Sequence, residues 1–406
     1  MQTCSRPIVI IGAGIAGASA AESLRNEGFD GQILMFDKGK DMPYDRPPLS
    51  KEYLLEGVNS SIMLWDGDRH ADLNVDVELN TAIERVDLAQ RAVIASDGRR
   101  WPFSQLLISS GSQLRRLDDL PGADLPGIHY LKSLEDATNL RRSLDKAHQV
   151  VIVGAGFIGS EVAAACYQMG KSVVMVEMAR LPFQNILGDM AARFICSLHE
   201  SRGVKIITEE RVIAFSGTTR VEKVITASSG VIPSDVVVVG TGVVPTGPSI
   251  GKEMSLGYVV DEYGETEAKG VFAAGDNAMW PYRGQLIRVE HWDHAINQGR
   301  IVAKNMLNPQ HVPYEAIPYF WSDQYDTRLQ YVGHTRAWDR VVIRGDLAAG
   351  SAAVFYILNR QVVAGLLINQ PKQVLPVRRF ISRRTLVDEV KLGDEDIPLN
   401  ETILAH

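Results

Sequence analysis

Two stretches of the chain share one pattern of apolar and small residues. In the first, the apolar run Ile8–Ile11 precedes the sequence GAGIAG at residues 12–17. In the second, Val150–Val153 precedes GAGFIG at residues 154–159. An unbroken aliphatic run predicts a buried strand, and the closely spaced glycines predict a tight turn into a helix. The sequence therefore predicts two strand–turn–helix units, typical of an α/β fold with Rossmann-like domains.

Each unit continues into a second predicted strand that ends on a carboxylate. The strand at residues 32–36 ends before Asp37, and the strand at residues 172–176 ends before Glu177. A carboxylate about 20 residues beyond such a turn accepts hydrogen bonds from an adenosine ribose, while the helix N-terminus receives the pyrophosphate. Two such units predict two dinucleotides, a flavin and a nicotinamide, unless the glycines serve packing alone.

Later patterning predicts three domains. A buried strand at residues 236–239 closes the second unit, and a strand at 271–274 followed by a helix at 295–307 returns to the first. From residue 315, short alternating strands at 329–332, 341–344, 352–358 and 362–367 indicate a small α+β domain. We expect an FAD-binding domain at 1–115 and 247–314, an inserted NAD-binding domain at 116–246, and a C-terminal α+β domain at 315–406.

Composition narrows the functional class. The 406 residues are 45% hydrophobic and 22% charged, and the net charge of −7 gives no sign of a nucleic-acid partner. No apolar run reaches the roughly 18–20 residues that span a bilayer, and the first strand begins near the N-terminus, so we expect no membrane association and a cytoplasmic protein. Cys4, Cys166 and Cys196 are far apart in sequence. Without a local thiol pair, electrons are expected to leave by a route other than a disulfide.

Further motifs complete a family pattern. They are PYDRPPLSK at residues 43–51, AGD at 274–276, EHW at 290–292 and FWSDQ at 320–324. With the two glycine turns, they make the chain resemble, over essentially its full length, the oxygenase-coupled ferredoxin reductases of the glutathione-reductase-like superfamily. Two departures are Ser109-Ser110, where the family usually has Ala-Thr, and the segment at 292–295.

The resemblance implies an NADH-dependent flavoprotein without a metal, which reduces a [2Fe–2S] ferredoxin that feeds a ring-hydroxylating dioxygenase of aromatic hydrocarbon catabolism or a cytochrome P450. The residues that it places at the FAD are Gly12, Gly14, Ala16, Gly17, Asp37, Lys38, Arg46, Lys51, Ile83, Gly111, Lys132, Gly275, Asp276 and Trp292. Those that we expect at the NAD are Gly154, Gly156, Phe157, Ile158, Gly159, Glu161, Glu177 and Gly242. Asp276 is also suited to capping a helix, and Lys38 and Arg46 to ordinary surface positions.

Lys51, Glu161 and Trp321 are expected to take part in the chemistry. The resemblance pairs Lys51 with Glu161 beside the reactive N5 edge of the flavin and puts Trp321 on the path toward the iron–sulfur partner. From the residues alone, Lys51 is equally a solvated loop lysine, Glu161 a favourable acid at a helix N-terminus, and Trp321 an aromatic core residue. Glu177 favours NADH, because it would repel the 2′-phosphate of NADPH, although Arg180 lies nearby.

A basic cluster near the C-terminus suggests where a protein partner binds. It consists of Arg378, Arg379, Arg383 and Arg384, and it is suited either to an acidic ferredoxin or to a solvated face. Two alternative functions stay open. One is an NADH oxidase or monodehydroascorbate-reductase-like enzyme, and the other is a redox-sensing interaction protein like apoptosis-inducing factor.

Overall fold

A computed structural model describes residues 6–57, 62–65, 67, 69–228, 230–251, 254, 256–308 and 312–404. The chain forms two compact units. Unit 1 contains residues 1–46, 60–113 and 243–316, and unit 2 contains residues 47–59, 114–242 and 317–406. The predicted boundaries of three domains stay a prediction. Cys4 lies outside the described residues.

Strands and helices alternate in residues 8–36 and 128–207, and elsewhere several strands follow one another. The strands up to residue 114 are β1 Ile8–Ile11, β2 Ile33–Phe36, β3 Val75–Glu78, β4 Ile83–Asp87, β5 Ala92–Ala95, β6 Arg100–Pro102, β7 Gln105–Ile108 and β8 Ser112–Leu114. The next are β9 Ile128–Tyr130, β10 Gln149–Val153, β11 Ser172–Val176, β12 Lys205–Ile207, β13 Val212–Ser216, β14 Lys223–Thr226, β15 Val231–Pro233, β16 Val236–Val239 and β17 Val243–Pro245.

The remaining strands are β18 Tyr258–Val259, β19 Val271–Ala273, β20 Ala278–Tyr282, β21 Gln285–Ile287, β22 Tyr319–Gln324, β23 Thr327–Gly333, β24 Arg340–Asp346, β25 Ser351–Leu358 and β26 Gln361–Ile368. The helices are α1 Ile15–Asn26, α2 Glu52–Glu56, α3 Arg69–Asp72, α4 Leu134–Lys146, α5 Phe157–Gln168, α6 Gln184–Glu200, α7 Trp292–Leu307, α8 Val374–Ser382 and α9 Glu389–Gly393.

Unit 1 is built on a parallel sheet of order β19-β7-β1-β2-β3. The central strand β1 is buried along its whole length, which explains its unbroken apolar run. Helices α1 and α7 approach closely, because Gly299 has no side chain: an added Cβ would lie 2.4 Å from the carbonyl oxygen of Ala16. Because β1 ends at Ile11, the first glycine turn lies at the carboxyl end of the central strand, where doubly wound sheets bind ligands.

Unit 2 repeats this plan and also contains a three-stranded sheet, β13-β14-β15, and a five-stranded antiparallel sheet. Its parallel sheet has the order β12-β11-β10-β16-β9. The antiparallel sheet has the order β22-β23-β26-β25-β24 and is covered on both faces. Tyr356 on β25 packs with α6, and its neighbours Phe355 and Ile357 pack with α8, as expected for side chains that alternate across a strand.

The predicted fold class is confirmed: two Rossmann-like parallel sheets accompany an antiparallel C-terminal sheet. The four predicted short strands are present as β23–β26, each longer than predicted. The predicted helix at 295–307 begins earlier, at Trp292. Among the helices of the described ranges, none combines the length and apolarity that crossing a bilayer requires.

Candidate functional site

The three glycines of the first turn have three different roles. Gly12 has φ +105°, and an added Cβ would lie 2.3 Å from the carbonyl oxygen of Ser109. An added Cβ on Gly17 would lie 2.0 Å from the carbonyl oxygen of Gly12. Both positions therefore exclude a side chain for packing reasons.

Gly14 differs, because it precedes α1 and its missing Cβ faces open space. The nearest atom to a Cβ there is Nη2 of Arg46, at 3.9 Å. Packing does not require glycine at this position, but close approach of a pyrophosphate to the backbone does. The turn therefore fits the phosphates of a dinucleotide at the N-terminus of α1, with the exposed Arg46 beside it.

The second turn repeats this division of roles. Gly154 has φ +97°, and an added Cβ would lie 2.5 Å from the carbonyl oxygen of Gly240. A Cβ on Gly159 would lie 2.2 Å from the carbonyl oxygen of Gly154, whereas a Cβ on Gly156 would meet no atom within 4 Å. The second turn therefore fits a pyrophosphate on the same grounds as the first.

Both predicted ribose-binding carboxylates hold their glycine turns. Asp37 accepts hydrogen bonds from the backbone N–H groups of Ala13 (2.7 Å) and Gly39 (2.6 Å). Glu177 accepts from those of Ala155 and Ala179, both at 2.8 Å. Because each carboxylate oxygen has two lone pairs, both groups keep acceptor capacity for a ribose hydroxyl.

Several other predicted flavin contacts lie near the first turn in unit 1. Asp276 Oδ2 accepts a hydrogen bond from the Ser112 hydroxyl at 2.6 Å. Gly275 has φ +85°, and its N–H donates to Gln298 Oε1 at 2.8 Å. An added Cβ at Gly275 would lie 3.2 Å from the Cβ of Ala16 on the first turn. The strand end that carries Asp276 is thus brought beside the first glycine turn.

Trp292 is placed by a side-chain hydrogen bond. Its indole Nε1 donates to Asp45 Oδ1 at 2.8 Å. Burial raises the pKa of Asp45, and the bond from Trp292 opposes that rise. This contact connects the start of α7 to Asp45, the residue directly before Arg46.

The remaining residues predicted to contact the nucleotides lie on several different elements. Ile83 is buried in the core at the start of β4, and Lys38 is exposed. Gly111 and Gly242 have positive φ values of +71° and +88°. The backbone N–H of Lys132 donates to Asp136 Oδ2, at the N-terminus of α4.

Phe157 and Ile158, at the start of α5, point in different directions. The ring of Phe157 packs against Phe183 and Phe320, with centroids 4.5 and 4.6 Å apart. Ile158 is 47% exposed. The Phe157 ring thus packs against the core between α5, α6 and β22.

Lys51 and Glu161 form a buried ion pair. Lys51 Nζ lies 3.3 Å from Glu161 Oε1, and the side chains are 11% and 4% exposed. The hydroxyl groups of Ser50 and Ser322 donate to Glu161 Oε2 and Oε1 at 2.5 and 2.8 Å. Burial raises the pKa of Glu161, while Lys51 and the two hydroxyl donors lower it. The carboxylate is therefore held by one cation and two hydroxyl donors.

Strand β22 presents different chemistry on its two faces. Ser322 and Gln324 are fully buried on the face toward Glu161. On the other face, the Trp321 ring stacks on Tyr319 with centroids 6.2 Å apart, and Lys51 Nζ lies 5.6 Å from the Trp321 centroid. The strand thus joins a polar interior to an aromatic row.

The basic cluster Arg378, Arg379, Arg383 and Arg384 lies on and after α8. Arg378 stacks over the ring of Tyr319, 5.0 Å from its centroid. The other three arginines are exposed. The aromatic row of β22 therefore extends from Lys51 to this cluster.

The sequence interpretation did not assign Ser50, His199, Ser322 or Gln324 to the site. His199, on α6, is buried and bonded to Gln324. The alternation in FWSDQ is a signal for two faces, but nothing in the sequence places a histidine 125 residues away beside that strand. Arg180, which the sequence left as a possible partner of the nucleotide, pairs with Asp189, with 2.7 Å between Nη2 and Oδ2.

Neither described cysteine is suited to thiol chemistry. Cys166 and Cys196 are free and buried, and burial raises their pKa values to about 12 and about 11. Neither is a thiolate near neutral pH. Within the residues that the structure describes, no group of three His, Cys, Asp or Glu side chains is arranged to hold a metal ion.

Comparisons with known proteins agree with this geometry. The family model described as pyridine nucleotide-disulphide oxidoreductase matches residues 6–299, and the model described as reductase C-terminal matches 319–403. The chain is 36% identical to a ferredoxin–NAD(P)(+) reductase of Sphingomonas sp, over 97% of this chain and 96% of the relative.

Two further comparisons cover nearly the whole chain. The ferredoxin–NAD(+) reductase component of a p-cumate 2,3-dioxygenase system of Pseudomonas putida is 34% identical, over 97% of this chain and 98% of the relative. The crystal structure of a covalent putidaredoxin reductase–putidaredoxin complex superimposes with a TM-score of 0.94 at 31% identity, covering 98% of each chain.

Proposed function

The chain belongs to the pyridine nucleotide-disulphide oxidoreductase family, and from that premise we propose that it is an FAD-dependent ferredoxin reductase. It oxidises NADH and reduces a [2Fe–2S] ferredoxin that feeds an oxygenase, either a ring-hydroxylating dioxygenase or a cytochrome P450. The observation that carries the proposal is the duplicated glycine turn, in which one glycine of each turn leaves open space for a pyrophosphate. The relatives named as ferredoxin reductases support the choice of electron acceptor.

The residues present fit the two nucleotides. Gly14, Arg46 and Asp276 would hold FAD in unit 1, and Gly156 and Glu177 would hold NADH in unit 2. Bound FAD would supply the two-electron acceptor for a hydride and the one-electron donor for an iron–sulfur protein.

The Lys51–Glu161 pair has an electrostatic role in this proposal. The Lys51 side chain is 11% exposed, so water screens its ammonium group weakly, and this cation would stabilise negative charge on a flavin bound beside it. Glu161 keeps that ammonium in place. Hydride transfer itself needs position and field from the protein, and no side chain has to carry a proton for it.

The nicotinamide preference follows from the groups beyond the second turn. Glu177 presents negative charge where NADPH carries its 2′-phosphate. Arg180, the cation that could offset this, is paired with Asp189. Both features favour NADH.

Electrons are proposed to leave toward the aromatic row and the basic cluster. An acidic ferredoxin would be attracted by Arg379, Arg383 and Arg384, which are exposed beside that row. The two described cysteines are not suited to carry the electrons, because their thiols are buried and protonated. Buried free thiols also accord with a reducing compartment, and we propose the cytoplasm.

One assay tests the function. The purified protein with FAD is mixed with NADH, a [2Fe–2S] ferredoxin and cytochrome c, and cytochrome reduction and oxygen uptake are followed together. We expect cytochrome reduction that rises with ferredoxin concentration and little oxygen uptake. Fast oxygen consumption without any ferredoxin-dependent rate would instead identify an NADH oxidase.

A further inference from the structure

A chain of four hydrogen bonds runs through the interior of unit 2 and ends on Glu161. The Tyr325 hydroxyl lies 2.8 Å from His199 Nδ1, and His199 Nε2 lies 3.1 Å from Gln324 Oε1. Gln324 Nε2 donates to Ser322 Oγ at 3.2 Å, and Ser322 Oγ donates to Glu161 Oε1 at 2.8 Å. His199, Ser322 and Gln324 are fully buried. Helix α6 is thereby linked to the ion pair.

The amide of Gln324 gives this chain a single direction. Its oxygen only accepts, so His199 must carry its proton on Nε2. In a neutral imidazole, Nδ1 is then an acceptor, and it accepts a hydrogen bond from the Tyr325 hydroxyl. Because Ser322 Oγ accepts from the amide nitrogen, its one proton is directed to Glu161. In each of the four hydrogen bonds, the donor group is therefore the one farther along the chain from the Glu161 carboxylate.

The direction depends on a neutral His199. The pKa of His199 is lowered to about 4, mainly by burial; the bond to Gln324 opposes this shift and nearby Arg202 adds to it. A protonated imidazole would have no acceptor for Tyr325. An amide does not relay protons readily, so the chain orients groups and is not a proton path.

We propose that His199 and Gln324 are positioning residues for the Lys51–Glu161 pair. They fix the Ser322 hydroxyl as a donor to Glu161 and so keep that carboxylate ionised and directed at Lys51. The kinetic consequence rests on the proposed function, but the effect on the charge of Glu161 does not.

Other charged and titratable groups face the two ends of the chain. Glu161 faces Lys51, which also lies 3.8 Å from Asp323 Oδ2. His199 faces Arg202 and Tyr325. The groups around Tyr325 and Arg202 are Cys166, Tyr167 and Asp326. Cys166 is protonated because burial raises its pKa to about 12, and Asp326 is paired with Arg202.

The test measures the titration of Glu161 directly in the FAD-loaded protein. Infrared difference spectroscopy follows the protonated carboxyl band, assigned by its loss in Glu161→Gln. We expect Ser322→Ala to raise the titration midpoint by about one pH unit, because one hydrogen bond to the charged form is lost. Gln324→Met and His199→Phe should raise it by about half a unit, since the Ser322 hydroxyl stays but is free to turn.

Tyr356→Phe is the matched control. The Tyr356 hydroxyl donates to the carbonyl oxygen of Leu187 on α6 at 2.7 Å, so its loss also removes a buried hydrogen bond to this helix. It should leave the Glu161 midpoint unchanged. An unchanged midpoint in both Gln324→Met and His199→Phe, or an equal shift in the control, would overturn the proposal.

A second measurement is made on the wild-type protein, and a variant serves only to assign the signal. Nitrogen-15 NMR of histidine-labelled wild-type protein reports which ring nitrogen of His199 carries the proton, with His199→Phe or the milder Tyr325→Phe identifying the signal. We expect the Nε2–H form; the Nδ1–H form would refute the directed chain. If the wild type fails to reduce ferredoxin while the Glu161 midpoint shifts as expected, the proposed function fails and this inference stands.

Discussion

Removing Lys51 should destabilise the protein in a pH-dependent way. At 3.3 Å between Nζ and Oε1, the Coulomb energy is about 5 kcal/mol at an effective dielectric constant of about 20. Leaving a partner charge buried and unpaired costs about 3–5 kcal/mol. We therefore expect Lys51→Met to lower the free energy of unfolding by about 3 kcal/mol or more at pH 8.

The sign of the pH effect follows from Glu161. Its pKa in the folded protein is raised by burial, and losing Lys51 raises it further. The folded state then binds a proton that the unfolded state has released, so stability falls as pH rises above the ordinary Glu pKa. The loss in Lys51→Met should thus be small at acidic pH, where Glu161 is neutral, and should grow through the raised pKa.

Urea denaturation followed by tryptophan fluorescence at pH 5 and pH 8 provides the measurement, with one saturating FAD concentration throughout because bound ligand itself adds stability. Glu161→Gln should cost less, since Lys51 keeps Asp323 at 3.8 Å. The double variant should regain most of the loss.

Lys304→Met is the matched control. Lys304 pairs with Glu27 at 3.0 Å, but the two side chains are 43% and 41% exposed, so a loss of less than about 1 kcal/mol is expected. Equal losses for Lys51→Met at both pH values, or a double variant as unstable as the single one, would refute the reasoning.

Three other predictions concern separate parts of the molecule. Asp189→Asn should free Arg180 and raise kcat/KM for NADPH, and the increase should be larger when Glu177→Ala is added. Steady-state kinetics with both nucleotides measure this, and an unchanged ratio of kcat/KM for NADH to kcat/KM for NADPH would show that other residues set the preference. Arg344→Met should lower the free energy of unfolding by about 2–4 kcal/mol, because this buried guanidinium donates to four backbone carbonyl groups between residues 392 and 397; equilibrium denaturation tests this. Arg383→Glu should raise KM for an acidic ferredoxin and weaken its salt dependence while leaving NADH-driven flavin reduction unchanged; a salt titration that matches the wild type would argue against docking there.

Much of the fold could be predicted because the informative signals are local. The run Ile8–Ile11 and the glycines after it depend on neighbours within a few residues, and the structure contains the strand, turn and helix that they predict. The carboxylate of Asp37 could be placed at its strand end for the same reason. Its bond to the turn itself was not foreseen, because the ribose interpretation already accounted for the carboxylate.

The rest of the site depends on long-range packing. Ser322 and Gln324 are polar residues in a strand, where propensity alone gives no reason to bury them. Their burial has a cause only once Glu161 and His199 are in place, and these come from two helices far away in sequence. Family resemblance supplied the pairing of Lys51 with Glu161, whereas the hydroxyl donors around it required coordinates.

The two faces of β22 limit how this strand can change during evolution. Because side chains alternate, inserting or deleting one residue would send Trp321 inward and Ser322 outward at once. The aromatic row and the support of Glu161 would be lost together. Homologues should therefore diverge here by substitution at fixed length. A single strand thus ties the length of this segment to both of its faces, so that one cannot be shifted in register without the other.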